Sequence, residues 1–266
     1  MKIFLTTILL VINLFSQDIE TNIELTKQEK EFIEKTHFNV AITKNWYPIS
    51  FEGDKDKALG ISSEFWEIIV NKLNLKTTNI FFKSFDEQIK SLQSGKSDII
   101  FSVGESESRK KFAYFSNEYL KFPISIVTKK DENFIENIDD IINKKIAVGN
   151  NFTAHNLLKE KYPNIDLVLV NSVEEGLALV SKKEVFAFVD IKPILTYNIA
   201  KFEFKDLKVS GNSGINFPLK IMVRKEYKDL IPIINKTIAT IPASEVMNIV
   251  NSWNNVKFQT SIDYKT

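Results

Sequence analysis

The 266-residue chain has no cysteine. That excludes a disulfide framework, a thiol nucleophile and a lipid-modified cysteine as a membrane tether. Histidine is almost as scarce: His37 and His155 stand alone, in no metal-ligand spacing such as two histidines four apart. No metal and no cofactor is expected. An excess of either charge is also missing, with 35 Lys and Arg against 34 Asp and Glu. Removing residues 1–16 takes away only Lys2 and leaves the two signs equal. Such a balance supplies no attraction for nucleic acid or an anionic membrane. There is no G-x-S-x-G elbow, and Gly149-Asn150-Asn151 offers a single glycine where a phosphate loop needs several. The chain is therefore read as a binding protein and not an enzyme, with its ligand in a pocket.

Long apolar runs are absent except at the start. Ile3 to Phe15 is apolar apart from Thr6, Thr7 and Asn13, and Lys2 precedes it. The run is short of the roughly 20 residues of a transmembrane helix and has the length of a signal-peptide core. Residues 1–16 are expected to be a signal peptide cut before Gln17, the alternative being an uncleaved anchor. Export to the periplasm follows from the first reading.

What remains is ordinary globular composition, 44% hydrophobic and 26% charged, arranged as alternating strand and helix signals. Thr26 to Lys35 reads as a short helix. Phe38 to Thr43 alternates as a strand, and Ile61, Phe65, Ile68, Ile69 and Leu73 recur at helical spacing. Thr77 to Phe82 is β-prone, Ser84 and Glu87 have the spacing of a capping box, Gly95 ends that helix, and Asp98 to Val103 is the next strand. A second series repeats the pattern: strand Lys145 to Val148, a helix capped by Thr153, strand Asp166 to Val170, a box at Ser172 and Glu175, strand Val185 to Val189, and a helix begun by Pro193. Gly211-Asn212-Ser213-Gly214 reads as a turn before the strand Phe217 to Val223, with helices near 229–241 and 243–253 after it.

Two βαβαβ units, near 38–103 and 145–189 and joined by the extended stretch Phe122 to Thr128, imply an α/β protein of two lobes, each a mostly parallel sheet flanked by helices. The last helices are expected to return to the first lobe, so that two crossings form a hinge. The expected layout is a signal peptide at 1–16, a lead-in helix within 17–36, lobe one at 37–124 with 220–256, lobe two at 125–219, and a tail at 257–266.

Ligands of open α/β sheets bind beyond the carboxyl ends of the strands. Those ends carry Thr43 to Trp46, Ser84 and Phe85, and Gly104 to Arg109 in lobe one. In lobe two they carry Gly149 to Thr153, Asn171 and Ser172, and Asp190. Arg109 is placed to fork a carboxylate beside the Gly104 turn, Asp190 to accept from an ammonium, and Trp46 and Phe85 to form an apolar wall. Each has a plainer reading. Arg109 opens a basic run with Lys110 and Lys111, Asp190 has the position of a helix cap, and Trp46 beside Pro48 is equally a packing residue. His155 reads as a surface helix residue at the edge of this cleft.

The motifs Trp46-Tyr47-Pro48 with Phe51 and Gly60, Leu92-Gln93-Ser94-Gly95-Lys96-Ser97-Asp98, Ser106 to Phe112 with Phe115-Ser116 and Tyr119, and Val185 to Asp190 occur in order. Together they resemble the bacterial extracellular solute-binding proteins of family 3, the amino-acid-binding periplasmic proteins. The resemblance runs from about Phe38 to Trp253 and implies the type II periplasmic-binding-protein-like fold with a two-strand hinge. It implies that Arg109 binds the ligand α-carboxylate, Asp190 the α-ammonium, that Trp46 and Phe85 sandwich its side chain, and that the 149–153 loop with Thr153 also meets the carboxylate. Departures from the pattern at Thr43 and at Gly104 with Ser106 bear on which ligand is taken. Leu25 to Lys30, Asn150 to Asn171 and Pro218 to Ile241 resemble most the members that serve as periplasmic sensor domains of histidine kinases and diguanylate cyclases. The expected protein is a monomer that binds an amino acid or similar small molecule and serves ABC-type uptake through a membrane permease. The alternatives are a sensing module for a membrane kinase or cyclase, free-standing or a piece of a longer chain, and a dehydratase-like enzyme on the same fold.

Overall fold

A computed structural model describes residues 23–150 and 152–254; the signal segment expected at 1–16, Asn151 and the 257–266 tail lie outside them. The first part of the chain runs α1 (Lys27–Lys35), β1 (His37–Thr43), β2 (Asn45–Trp46), β3 (Ser50–Glu52), β4 (Ala58–Leu59), α2 (Ile61–Leu73), β5 (Lys76–Phe82), α3 (Phe85–Gln93), β6 (Ile99–Val103), α4 (Glu107–Lys110) and β7 (Ala113–Phe115). After β8 (Leu120–Lys129) the second series follows as β9 (Ile146–Gly149), α5 (Thr153–Lys161), β10 (Leu167–Val170), α6 (Val173–Ser181), β11 (Ala187–Ile191) and α7 (Lys192–Lys201). The chain then passes through β12 (Leu207–Arg224) to α8 (Leu230–Ala239) and α9 (Ala243–Asn254).

The main sheet runs β10-β9-β11-β8-β12-β6-β1-β5, with β7 on β12 and a separate small sheet β2-β3-β4. Within each lobe the strands joined by helices are parallel: β1 with β5 and β6, and β9 with β10 and β11. Two long strands bind the lobes. β8 and β12 pair antiparallel from Leu207↔Lys129 to Leu219↔Leu120, while β11 joins β8 and β6 joins β12. The two lobes are thus stitched into one sheet by a ladder that shifts register after Val209 and after Asn212, with helices on the faces of their parallel strands.

Burial explains why the elements sit as they do. The strand residues Val40, Ile42, Ile99, Phe101, Ile146, Val148 and Val189 are fully enclosed and share one core with Phe65 and Ile69 of α2 and with Ile233 and Ile234 of α8. Each such side chain contributes roughly 1.5–3 kcal/mol relative to exposure. The last two helices return to the first lobe, where Trp253 Nε1 donates to Glu64 Oε1 at 2.8 Å and Lys236 pairs with Glu29 at 2.8 Å.

Several local details differ from the sequence reading. β11 runs two residues later than Val185 to Val189, because Val185 and Phe186 still belong to the turn that leaves α6, with Val185 N–H on Leu179 O. The 211–214 stretch is not a turn before a strand but an irregular part of β12. Asn212 Oδ1 accepts from Gly214 N–H at 3.0 Å, and the register slips between Asn212 and Asn216. Ser84 and Ser172 each cap a helix by accepting from Glu87 N–H and Glu175 N–H, but neither box closes. The two glutamates reach one residue further back, to Lys83 N–H at 3.0 Å and Asn171 N–H at 2.8 Å. Complete boxes are found at Thr26 with Glu29 and at Asn137 with Asp140. Thr153 is not the cap of α5 but its first residue, after Phe152.

Candidate functional site

The carboxyl ends of the strands in both lobes converge on a cavity of about 280 Å³. From lobe one come Thr43 at the end of β1, Trp46 of β2 with Tyr47 after it, and Phe85 at the start of α3. From lobe two come Phe152 and Thr153 at the start of α5, Asn171 and Ser172 beyond β10, and Asp190 in β11. Ile194, Asn198 and Lys201 add one face of α7, and Phe217 of β12 packs beside Trp46 with ring centres 6.4 Å apart.

Asp190 is the most unusual group in this cavity. Its residue is 3% exposed and lies within β11, opposite Ser125 of β8. Oδ1 accepts from Ile191 N–H at 2.7 Å, whereas Oδ2 is buried with no hydrogen-bond partner. Burial pushes its pKa up to about 7, the Ile191 N–H opposing in part. It does not cap α7, whose N-cap is Ile191 without a side-chain bond. An orphaned carboxylate oxygen normally costs several kcal/mol unless a donor arrives. Asp190 lines the cavity with its Oδ2 buried and unpaired, and such a group can accept a strong N–H donor or a cation.

Arg109 is buried at 5% exposure, so it is no part of a solvated basic face. Nη1 donates to Gly104 O at 2.7 Å and to Thr153 Oγ1 at 3.3 Å, and the guanidinium carbon lies 4.9 Å from the centre of the Phe85 ring. Burial lowers its pKa to about 10, leaving it charged at neutral pH. Its hydrogen bonds tie α4 and the β6 end of lobe one to the first turn of α5 in lobe two. Arg109 and Gly104 therefore lie behind the cavity wall rather than on it, whereas Thr43, Trp46, Phe85, Thr153 and Asp190 are on it. The Thr43 hydroxyl is committed to Gln88 Oε1 at 3.0 Å, and Gln88 in turn donates to Ala41 O at 2.6 Å.

The rim brings in residues that sequence reasoning missed. Tyr47 of lobe one stacks on Tyr197 of α7 at 5.5 Å and 2° between planes. Lys201 Nζ lies 4.4 Å from the centre of the Tyr47 ring and 5.3 Å from that of Phe202. Ile194, Asn198 and Lys201 have the i, i+4, i+7 spacing of one helix face starting just after Asp190, which was the available signal. Tyr47 lies in the Trp46-Tyr47-Pro48 motif, but its stacking partner is 150 residues away, beyond the reach of any local pattern. His155 is half-buried, and its pKa is lowered by burial and by Lys159. Among the described residues no group of three or more acidic, histidine or cysteine side chains is arranged to hold a metal.

Two α/β lobes, a double strand crossing and a cavity at the strand ends define the periplasmic-binding-protein-like fold. The profile of the bacterial extracellular solute-binding proteins, family 3, matches residues 38–256, and the chain belongs to that family. It is similar to the sensor protein EvgS of Escherichia coli K12, 26% identical over 87% of the chain and 19% of that protein, and to the virulence sensor protein BvgS of Bordetella pertussis, 22% identical over 80% of the chain and 17% of that protein. The chain thus spans less than a fifth of these sensors. It is 24% identical to the L-cystine-binding protein TcyJ of E. coli over 75% of each chain. Among solved structures, the periplasmic VFT2 domain of B. pertussis BvgS superposes with a TM-score of 0.76 at 20% identity, covering 86% of this chain and 99% of that one. An ancestral arginine-binding protein bound to arginine superposes with a TM-score of 0.66 at 25% identity, covering 82% and 97%. Family and fold are those of binding and sensor proteins rather than enzymes. No helix among the described residues is long and apolar enough to cross a membrane.

Proposed function

We propose that this chain is a periplasmic clamp that binds a small molecule bearing an ammonium group and serves as a ligand sensor for a membrane partner. The observation that carries the reading is Asp190: a buried carboxylate with one oxygen unpaired, on the wall of a cavity built from both lobes. An ammonium supplies both the missing hydrogen bond and the missing charge. Trp46, Phe85 and Phe217 line the body of the site, and the Tyr47–Tyr197 stack closes its rim from both lobes. Ligand contacts made only in this closed arrangement favour it over an open one. The lobes are taken to divide at 124/125 and 219/220, inside β8 and β12, so that the hinge is the crossing strand pair itself. The likeness to the sensors supports the signalling role.

Delivery of an amino acid to an ABC-type permease is a second reading, favoured by the likeness to TcyJ across three-quarters of both chains. A thermal-shift screen of amino acids and primary amines, followed by calorimetry, tests the clamp. At least one ammonium-bearing compound should raise the melting midpoint, and Asp190→Asn should remove the effect. A screen with no such hit, or a hit indifferent to Asp190→Asn, sinks the reading.

A further inference from the structure

The cavity has a receptor for a cation, but the seat beside its one buried arginine is filled by the protein. A carboxylate ligand would need the Arg109 guanidinium, the Gly104 turn and the first turn of α5 to face a common space. Here those three groups face each other directly. Arg109 Nη1 spends itself on Gly104 O at 2.7 Å and Thr153 Oγ1 at 3.3 Å. The Thr153 side chain lies so close to Gly104 that a single added carbon on that glycine would stand 2.2 Å from Thr153 Cγ2 and 2.9 Å from Oγ1. One face of the guanidinium is covered by Phe85, with 4.9 Å from the cation to the ring centre. A carboxylate needs about 3 Å of clearance to each donor, and no such gap exists between Gly104 and Thr153. Asp190, by contrast, lines the cavity and keeps one buried oxygen unpaired.

Resting on the proposed role of Asp190, we propose that the ligand is a carboxylate-free primary amine with an aromatic or apolar body, Thr153 occupying the place that a ligand carboxylate would take. The ammonium meets Asp190 Oδ2, and the body lies against Trp46, Phe152 and Phe217. An amino acid of the same body that set its carboxylate on Arg109 would have to displace Thr153 from Gly104 and break the Arg109 bonds that tie the lobes, whereas the amine leaves both in place.

The test uses matched pairs in calorimetry on the full chain: 2-phenylethylamine against phenylalanine, and tyramine against tyrosine. Each amine is expected to bind at least tenfold more tightly than its amino acid. Thr153→Ser removes Cγ2 and keeps the hydroxyl that Arg109 uses, and it should narrow that gap threefold or more. Amino acids binding as tightly as the amines, or a gap untouched by Thr153→Ser, would overturn this assignment while leaving the ammonium clamp standing. If neither member of either pair binds while other ammonium compounds do, the aromatic-amine class is wrong. If no ammonium compound binds, the clamp reading itself fails.

Discussion

Replacing Asp190 with asparagine separates the cost of a buried charge from every other feature of the cavity. Burial holds the carboxyl at about 7 in the native protein, against about 3.9 in an unfolded chain. The native state therefore holds this proton more tightly than the unfolded state does. Stability from the group is fully present below about pH 4, declines as pH rises, and is lost above about pH 7. At 1.36 kcal/mol per pH unit the whole interval amounts to about 4 kcal/mol, and the part between pH 5 and pH 7 to about 2 kcal/mol. Asparagine does not titrate, so Asp190→Asn should gain on the wild type by about 2–3 kcal/mol between pH 5 and pH 8, with no ligand present. Urea denaturation of both proteins at intervals across that range measures the difference directly, and other titrating groups cancel because both proteins carry them. For a chain of this size the same gain appears as roughly 5–10 °C in melting midpoint. A difference that stays constant with pH would show that Asp190 is not a perturbed carboxylate. The same ionisation governs binding. An ammonium selects the ionised form, so its affinity should weaken about tenfold per pH unit below 7 and level off above.

Two further changes probe the frame around the site. Gly211→Ala should destabilise the protein by about 2–4 kcal/mol, since its Cβ would stand 1.8 Å from the backbone oxygen of Ile135, to which Gly211 is bridged. A urea midpoint equal to wild type would contradict that packing. Tyr197→Ala removes the rim stack on Tyr47, worth about 0.5–1.5 kcal/mol, and should speed release of a bound amine by roughly 2- to 10-fold in stopped-flow measurements. An unchanged release rate would mean the stack does not hold the closed form.

The sequence alone determined the element order, the two parallel units and the crossing segment, because helical and strand periodicities are local properties set by neighbours a few residues away. It also placed Thr43, Trp46, Phe85, Thr153 and Asp190 at strand ends, and strand ends are where an open α/β sheet forms its crevice. Boundaries shifted where side chains chose partners outside the local pattern. Glu87 and Glu175 bonded the N–H before the cap rather than that of the cap itself, and β12 runs through 211–214 because β8 pairs with Gly211 and Asn212 and again from Asn216.

Only the tertiary structure decided how the two charged residues are housed, since burial and partners come from elements far apart in the chain. Asp190 and Arg109 look alike in sequence, one fixed charge at each strand end. Yet the first lines the cavity with one buried oxygen unpaired, and the second is bonded to Gly104 and to Thr153, 44 residues away. Whether a charge is left unpaired or bonded depends on what packs against it, and periodicity along the chain carries no record of that.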